Sequence, residues 1–137
     1  MAQLLTIDIV TPQSVAFRGA AQAVTLPGAQ SPFQVLINHA PIISALEIGA
    51  IKVIDDNGHE LYFATDGGFA EVKNNVVSIV VETAEPAADI DATQAQRDFE
   101  RANERLETLT DWSERALEKA NAHRAQNRLK VAEMASS

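Results

Sequence analysis

Residues 5 to 9 read Leu-Thr-Ile-Asp-Ile, with apolar and polar side chains in strict alternation. A period of two puts Leu5, Ile7 and Ile9 on one face and Thr6 and Asp8 on the other, the signature of a half-buried strand. Seven further β-like runs follow up to about residue 85: AVTLP, FQVLI, IISAL, AIKVI, ELYFAT, FAEVK and VVSIVV. In the last of these, Val77, Ile79 and Val81 share one face. Turn residues separate the runs at short intervals. Asn57-Gly58 predicts a type I′ hairpin turn, which needs positive φ at both central positions, and Asn74-Asn75 is a weaker form of the same signal. Pro27-Gly28 and Gly49 also break strands. Many short strands, frequent turns and no helical spacing predict an antiparallel sandwich or barrel.

The stretch Ala-Glu-Pro-Ala-Ala-Asp at 84–89 changes the composition and reads as a linker. After it the period becomes helical. Asp91 with Gln94 three residues on forms a capping-box pattern. Ala95, Phe99, Ala102, Leu106 and Leu109 follow at spacings of four, three, four and three, which aligns them on one face. Asp111 with Glu114 repeats the cap. Only residues 108–111 separate the two helices, so an antiparallel hairpin is expected.

The second helix is less regular. At about 100° per residue, Ala116, Ala120, Val131 and Met134 fall near one side, and Ala122, Ala125, Leu129 and Ala132 near the opposite one. Arg115, Lys119 and Lys130 occupy one flank between them, and Arg124 and Arg128 the other. Two thin apolar stripes fit a helix that exchanges packing partners. Burying a large aliphatic side chain contributes about 1.5–3 kcal/mol and an alanine methyl under ~1. With nine alanines in residues 89–137, the hold on this hairpin is expected to be a few kcal/mol, small enough for a partner to overturn.

Composition narrows the function classes. Residues number 137, of which 46% are hydrophobic, so a packed core is feasible. Cysteine is absent, which removes disulfides, thiolate zinc sites and cysteine nucleophiles. No apolar stretch approaches the ~20 residues that span a bilayer, so a soluble or peripheral protein is expected. The net charge of −8 is uneven. Residues 1–88 carry nine acids against three bases, residues 89–112 seven against three, and residues 113–137 three against five. The acidic bulk disfavours nucleic acid and anionic lipid, and only the basic tail is suited to an acidic partner.

Catalytic chemistry finds little support. His39, His59 and His123 fall in different elements and have no metal-ligand spacing. Gly67-Gly68 is followed by no Gly-Lys-Ser/Thr and reads as a turn or bulge where a side chain does not fit. No Gly-x-Ser-x-Gly is present. A metal-dependent enzyme using His39 and nearby acids is therefore a distant outsider, and no catalytic or metal-binding residue is assigned.

The succession LPGAQSPFQVLINHAPIISALEIG, DGGFAEV, VSIVVETAE and IDATQAQ, the last opening a helical hairpin, resembles the epsilon subunit of F-type ATP synthases, called delta in mitochondria. The likeness spans nearly the whole chain in matching order, and the stretch around Asn-His-Ala-Pro is its most specific part. The resemblance implies an α+β fold: an N-terminal antiparallel β-sandwich of about ten strands over residues 1–86, then a C-terminal antiparallel two-helix hairpin over residues 87–137. It implies a non-catalytic central-stalk subunit of a proton-translocating machine. The sandwich would bind the gamma subunit and rest on the c ring, touching the membrane only through that ring. The hairpin would lie on the sandwich or extend along gamma toward the alpha and beta subunits and block ATP hydrolysis. The location implied is the cytoplasmic side of a bacterial plasma membrane, or else the matrix or stroma side in an organelle. A free-standing β-sandwich module with a helical tail recognising an acidic partner is the alternative.

Site residues carry over by motif. The loops facing the c ring correspond to Gln30, Ser31 and Pro32 and to Asn38, His39, Ala40 and Pro41. Arg115, Lys119, Arg124, Arg128 and Lys130 match the basic residues that meet an acidic segment of beta. Two departures matter. Ile37-Asn38 replaces the usual Pro-Gly before the histidine, and Asn tolerates positive φ, so the turn is expected to survive. Some members bind ATP through Ile/Leu-Asp-x-x-Arg-Ala. Here Ile90, Asp91 and Ala95 match but Gln94 stands at the arginine position, and a neutral amide lacks the guanidinium charge and fork. Weak or absent ATP binding, and hence no cofactor, is the expectation.

Overall fold

The structure, a computed structural model, describes residues 3–136. Nine strands come first: β1 (Leu5–Val10), β2 (Val15–Leu26), β3 (Phe33–Val35), β4 (Ile42–Leu46), β5 (Gly49–Asp55), β6 (Glu60–Thr65), β7 (Gly68–Lys73), β8 (Val76–Val81) and β9 (Glu85–Pro86). A single 3-10 turn (Ala87–Asp89) leads to α1 (Ala92–Thr108) and α2 (Trp112–Ser136).

The expected sandwich is present. β2 is twelve residues long and belongs to both layers. Its first half pairs with β1, from Val10↔Val15 to Leu5↔Ala21, and its second half pairs with β5 and β3. A register shift between Ala21 and Ala23 marks the crossing. One layer therefore runs β4-β7-β8-β1-β2 and the other β3-β2-β5-β6-β9. Counting β2 in each reconciles nine assigned strands with about ten. One pair departs from the antiparallel expectation: β1 and β8 run parallel, Ile7 opposite Val77 and Ile9 opposite Ile79.

Alternation decides which side chains fill the space between layers. Leu5, Ile7, Ile9, Val24, Leu26, Ile51, Val53, Val72, Val77 and Ile79 are all fully buried. Phe17 of β2 meets Phe63 of β6 edge to face, ring centroids 6.4 Å apart.

Turn chemistry differs from expectation at two hairpins. At Asn57-Gly58 only Gly58 has positive φ, at 83°. The Asp55 carboxylate accepts the backbone N–H groups of Asn57 (2.9 Å) and His59 (2.8 Å). Those bonds favour a tighter turn that ends in a left-handed glycine over the type I′ form. Asn74-Asn75 is the pair with positive φ at both positions, 52° and 64°. Gly67-Gly68 is confirmed as a position without room: a Cβ on Gly68 would lie 2.1 Å from the Val80 carbonyl oxygen.

Residues 84–89 are not an irregular linker. Glu85 and Pro86 add an edge strand to β6, and the Ile90 N–H closes the 3-10 turn on the Ala87 carbonyl. Asp91 then caps α1 by accepting from the Gln94 N–H at 3.0 Å, and Asp111 caps the start of α2 by accepting from the Glu114 N–H at 3.0 Å. The two helices form the expected hairpin. α1 packs chiefly on α2, while α2 also touches β5, β6 and the 3-10 turn. Ala95 and Ala102 of α1 and Ala122, Ala125 and Val131 of α2 are buried. Ala116 and Met134 are exposed, so only Ala120 and Val131 of the first predicted stripe lose solvent.

Candidate interaction surfaces

The outer face of the β4-β7-β8 layer is open, with large apolar side chains beside Glu71, Lys73 and Ser78. β7 and β8 bury Ala70, Val72, Val77, Ile79 and Val81, so Phe69 and Val80 must point the other way. Phe69 sits opposite Val80 on one side and Ala45 on the other, and Ile43 opposite Glu71. Ile43 is 73% exposed, Phe69 63% and Val80 60%. Neighbouring large apolar side chains left in water on one sheet face mark an interaction surface. Periodicity places these residues outside but does not show that three strands bring them together, so the patch is not visible in the sequence.

The two loops singled out in the sequence border β4. Residues 38–41 lead into it. Asn38 adopts positive φ, 64°, so the expected turn survives with asparagine in it. Its N–H donates to the Asn75 Oδ1 at 2.6 Å, and the Asn75 amide donates back to the Asn38 Oδ1 at 3.2 Å. This reciprocal bond fastens the loop to the β7–β8 turn. His39 is half-buried and its Nδ1 lies 2.7 Å from the Ala40 carbonyl oxygen, so the ring is committed to the local backbone. Residues 30–32 run alongside the same strand: the Ala29 N–H donates to the Ala45 carbonyl at 2.9 Å, and Gln30 and Ser31 share a cleft with Ile42 and Ile43. Gln30, Ser31, Pro32 and Asn38 are exposed.

The five basic residues of α2 have different surroundings. Arg115 donates to the carbonyls of Leu106 and Leu109 and so caps the last turn of α1. Lys119 and Lys130 are exposed. Arg124 lies 3.5 Å from Asp66 of the β6–β7 connection. Arg128 makes a forked bond to Glu85, 2.8 and 3.2 Å, and approaches Asp98 of α1 at 3.9 Å. The bond to Glu85 raises the Arg128 pKa above its ordinary value, against a smaller opposing effect of burial. Asn127 donates to the Gly49 carbonyl at 2.8 Å.

Between the helices lies a polar groove of about 310 Å³, lined by Arg101, Arg105, Arg124 and Arg128 together with Asp98 and Glu118. Glu118 is buried, accepts from Asn121 at 2.9 Å and lies 3.6 Å from Arg105. Nothing in the sequence distinguished it from other helix acids. Of the partial nucleotide motif, Ile90 is half-buried, Ala95 is buried, Asp91 spends its carboxylate on the helix cap and Gln94 is exposed. Among the described residues no three His, Asp or Glu side chains are grouped to hold a metal ion. Among the described residues no helix is long and apolar enough to cross a membrane.

Known proteins resemble this chain in sequence and in fold. Residues 4–87 match the family described as ATP synthase, Delta/Epsilon chain, beta-sandwich domain. An ATP synthase epsilon chain of Anaeromyxobacter dehalogenans is 40% identical over 129 residues, covering 93% of this chain and 97% of its own length. Another, from Salinibacter ruber, is 44% identical over 115 residues, covering 78% and 77%. Among solved structures, a chain of the Euglena gracilis mitochondrial ATP synthase (OSCP/F1/c-ring) superposes with a TM-score of 0.84 at 19% identity, covering 99% of this chain and 82% of its own. A chain of the Tetrahymena thermophila central stalk and c ring superposes at 0.65 with 18% identity, covering 98% of each. At such identities those two structures speak to the fold alone. The match of residues 4–87 and the bacterial relatives at 40% and 44% identity over 93% and 78% of this chain place it in the epsilon family of ATP synthase subunits.

Proposed function

We propose that this chain is a non-catalytic rotor subunit of the central stalk of a proton-translocating F-type ATP synthase. It binds gamma through its sandwich, rests on the c ring through the loops beside β4, and regulates ATP hydrolysis through its helical hairpin. The chain then works as a peripheral protein on the cytoplasmic side of a bacterial plasma membrane, reached only through the c ring. Supporting this are relatives that are bacterial epsilon chains, and structural neighbours from complexes described as containing F1, the c ring or the central stalk.

The observation that carries the reading is the open apolar face of Ile43, Phe69 and Val80. A sheet face with this much uncovered apolar area is suited to an obligate neighbour. The basic second helix supplies the regulatory part: Lys119, Arg124, Arg128 and Lys130 are the residues that meet acidic beta once the hairpin extends.

Purification of the native complex tests the first part: the chain should co-purify with gamma, alpha and beta, and a chain found alone at native abundance would refute it. Deleting residues 89–137 tests the second. The assembled complex should then hydrolyse ATP faster, and an unchanged rate would remove the inhibitory role.

A further inference from the structure

The face of α2 that meets the sandwich is held mainly by polar bonds. Arg124, Asn127 and Arg128 lie three and four residues apart, on one side of the helix. Between them they reach the β6–β7 connection (Asp66), the first residue of β5 (Gly49) and β9 (Glu85), and Arg128 also approaches Asp98 of α1. Apolar burial on α2 is thin by comparison, with Ala122, Ala125 and Val131 its buried apolar residues. Residues 1–112 carry sixteen acids against six bases, and the tail from 113 carries five bases against three acids, so the field of the body favours the docked tail.

We propose that Arg128, with Arg124 beside it, forms an electrostatic latch in which Glu85 and Asp66 of the sandwich stand in for the carboxylates of an acidic partner segment. A guanidinium in a forked bond with one carboxylate cannot make the same fork with another. Docking on the sandwich and engagement of an acidic partner therefore compete for the same two arginines. Undocking releases both on one face of the helix, already spaced for a row of acids. Arg115 is not part of this exchange, because its bonds to Leu106 and Leu109 stay within the hairpin. The latch rests on the reading that the hairpin leaves the sandwich; what it adds is which side chains set the balance and that they set it by pair exchange. A change in the strength of one pair shifts the populations by that difference alone.

The chain has no cysteine, so a donor and acceptor dye can be attached at Asn57→Cys and Ser136→Cys, both exposed positions, to follow the distance between head and tail in the full chain. Glu85→Gln should raise the ratio of undocked to docked tail about fivefold, the usual scale for losing one partly buried charge-assisted bond. Glu85→Arg should raise it further, and adding Arg128→Glu to Glu85→Arg should restore docking. An unchanged ratio in both single variants, with the same melting temperature, would overturn the latch. In the assembled complex Glu85→Gln should lower ATP hydrolysis. A shift in dye distance with no change in hydrolysis would leave the latch standing and overturn the acidic-partner exchange together with the inhibitory function. An unchanged distance with hydrolysis still sensitive to deletion of the tail would overturn the latch alone.

Discussion

Replacing Phe69 by alanine separates folding from binding at the apolar face. Phe69 is 63% exposed, so most of its ring contributes nothing to the core. An aromatic side chain buries about 150–250 Å² when fully covered. About 95–160 Å² of Phe69 is thus free for a partner to cover, equivalent to about 2.4–4 kcal/mol at ~25 cal/mol per Å². Association loses part of this to ordering and to imperfect fit. A net loss of about 1–2 kcal/mol, or a fivefold to thirtyfold weaker complex, is expected if gamma sits on this face. Within the chain the substitution removes only the cross-strand contacts with Val80 and Ala45, about 1 kcal/mol or less. Calorimetric titration of gamma with wild-type and Phe69→Ala chains, alongside thermal melts, measures both quantities. An affinity unchanged within twofold, with the fold intact, would refute the assignment of this face.

Three further outcomes are expected. Gly68→Ala places a methyl against the backbone of Val80 and Val81, which neither neighbour can vacate cheaply, so a loss on the order of 3 kcal/mol and a melting temperature about 10 °C lower are expected; a melt within 2 °C of wild type, on the same scale of ~2–4 °C per kcal/mol, would contradict the geometry. The Asp111 carboxyl is held below its ordinary 3.8, first by the Ser113 hydroxyl and then by the Glu114 N–H; its cap is therefore complete above that pH and lost as pH falls through the lowered value, and an NMR titration of Asp111 with a midpoint at or above 3.8 would reverse the sign. Calorimetry of ATP into the isolated chain should show no micromolar binding, because Gln94 is uncharged and exposed; a micromolar dissociation constant would mean that the arginines of the interhelical groove suffice without it.

Local rules carried much of the fold. Alternation at Leu5–Ile9 and Val77–Val81 identified the core faces, and both helix caps stand where the Asp91 and Asp111 patterns put them. Non-local geometry was out of reach. The parallel pairing of β1 with β8 joins segments about 70 residues apart, and no short-range signal encodes it. The turn types went astray for a nearer reason: the Asp55 carboxylate redirected the Asn57-Gly58 turn, while the plainer Asn74-Asn75 pair took the conformation expected of the other. The positive φ of the turn at Asn38 was foreseeable from the residue type, but the Asn38–Asn75 bond that fixes the loop was not. Glu118 looks like any surface acid in a charged helix until the hairpin closes over it.

The double membership of β2 has a mechanical consequence. Because one unbroken strand runs through both layers, every strand of the head is joined to the others through a single hydrogen-bonded fabric. Torsion applied at the loops beside β4 has no internal seam to dissipate in and must emerge at the opposite layer. The tail shares none of this fabric: beyond the residues between β9 and α1 it meets the head through helix packing and side-chain bonds such as Asn127 to Gly49 and Arg128 to Glu85, so it can yield where the head cannot.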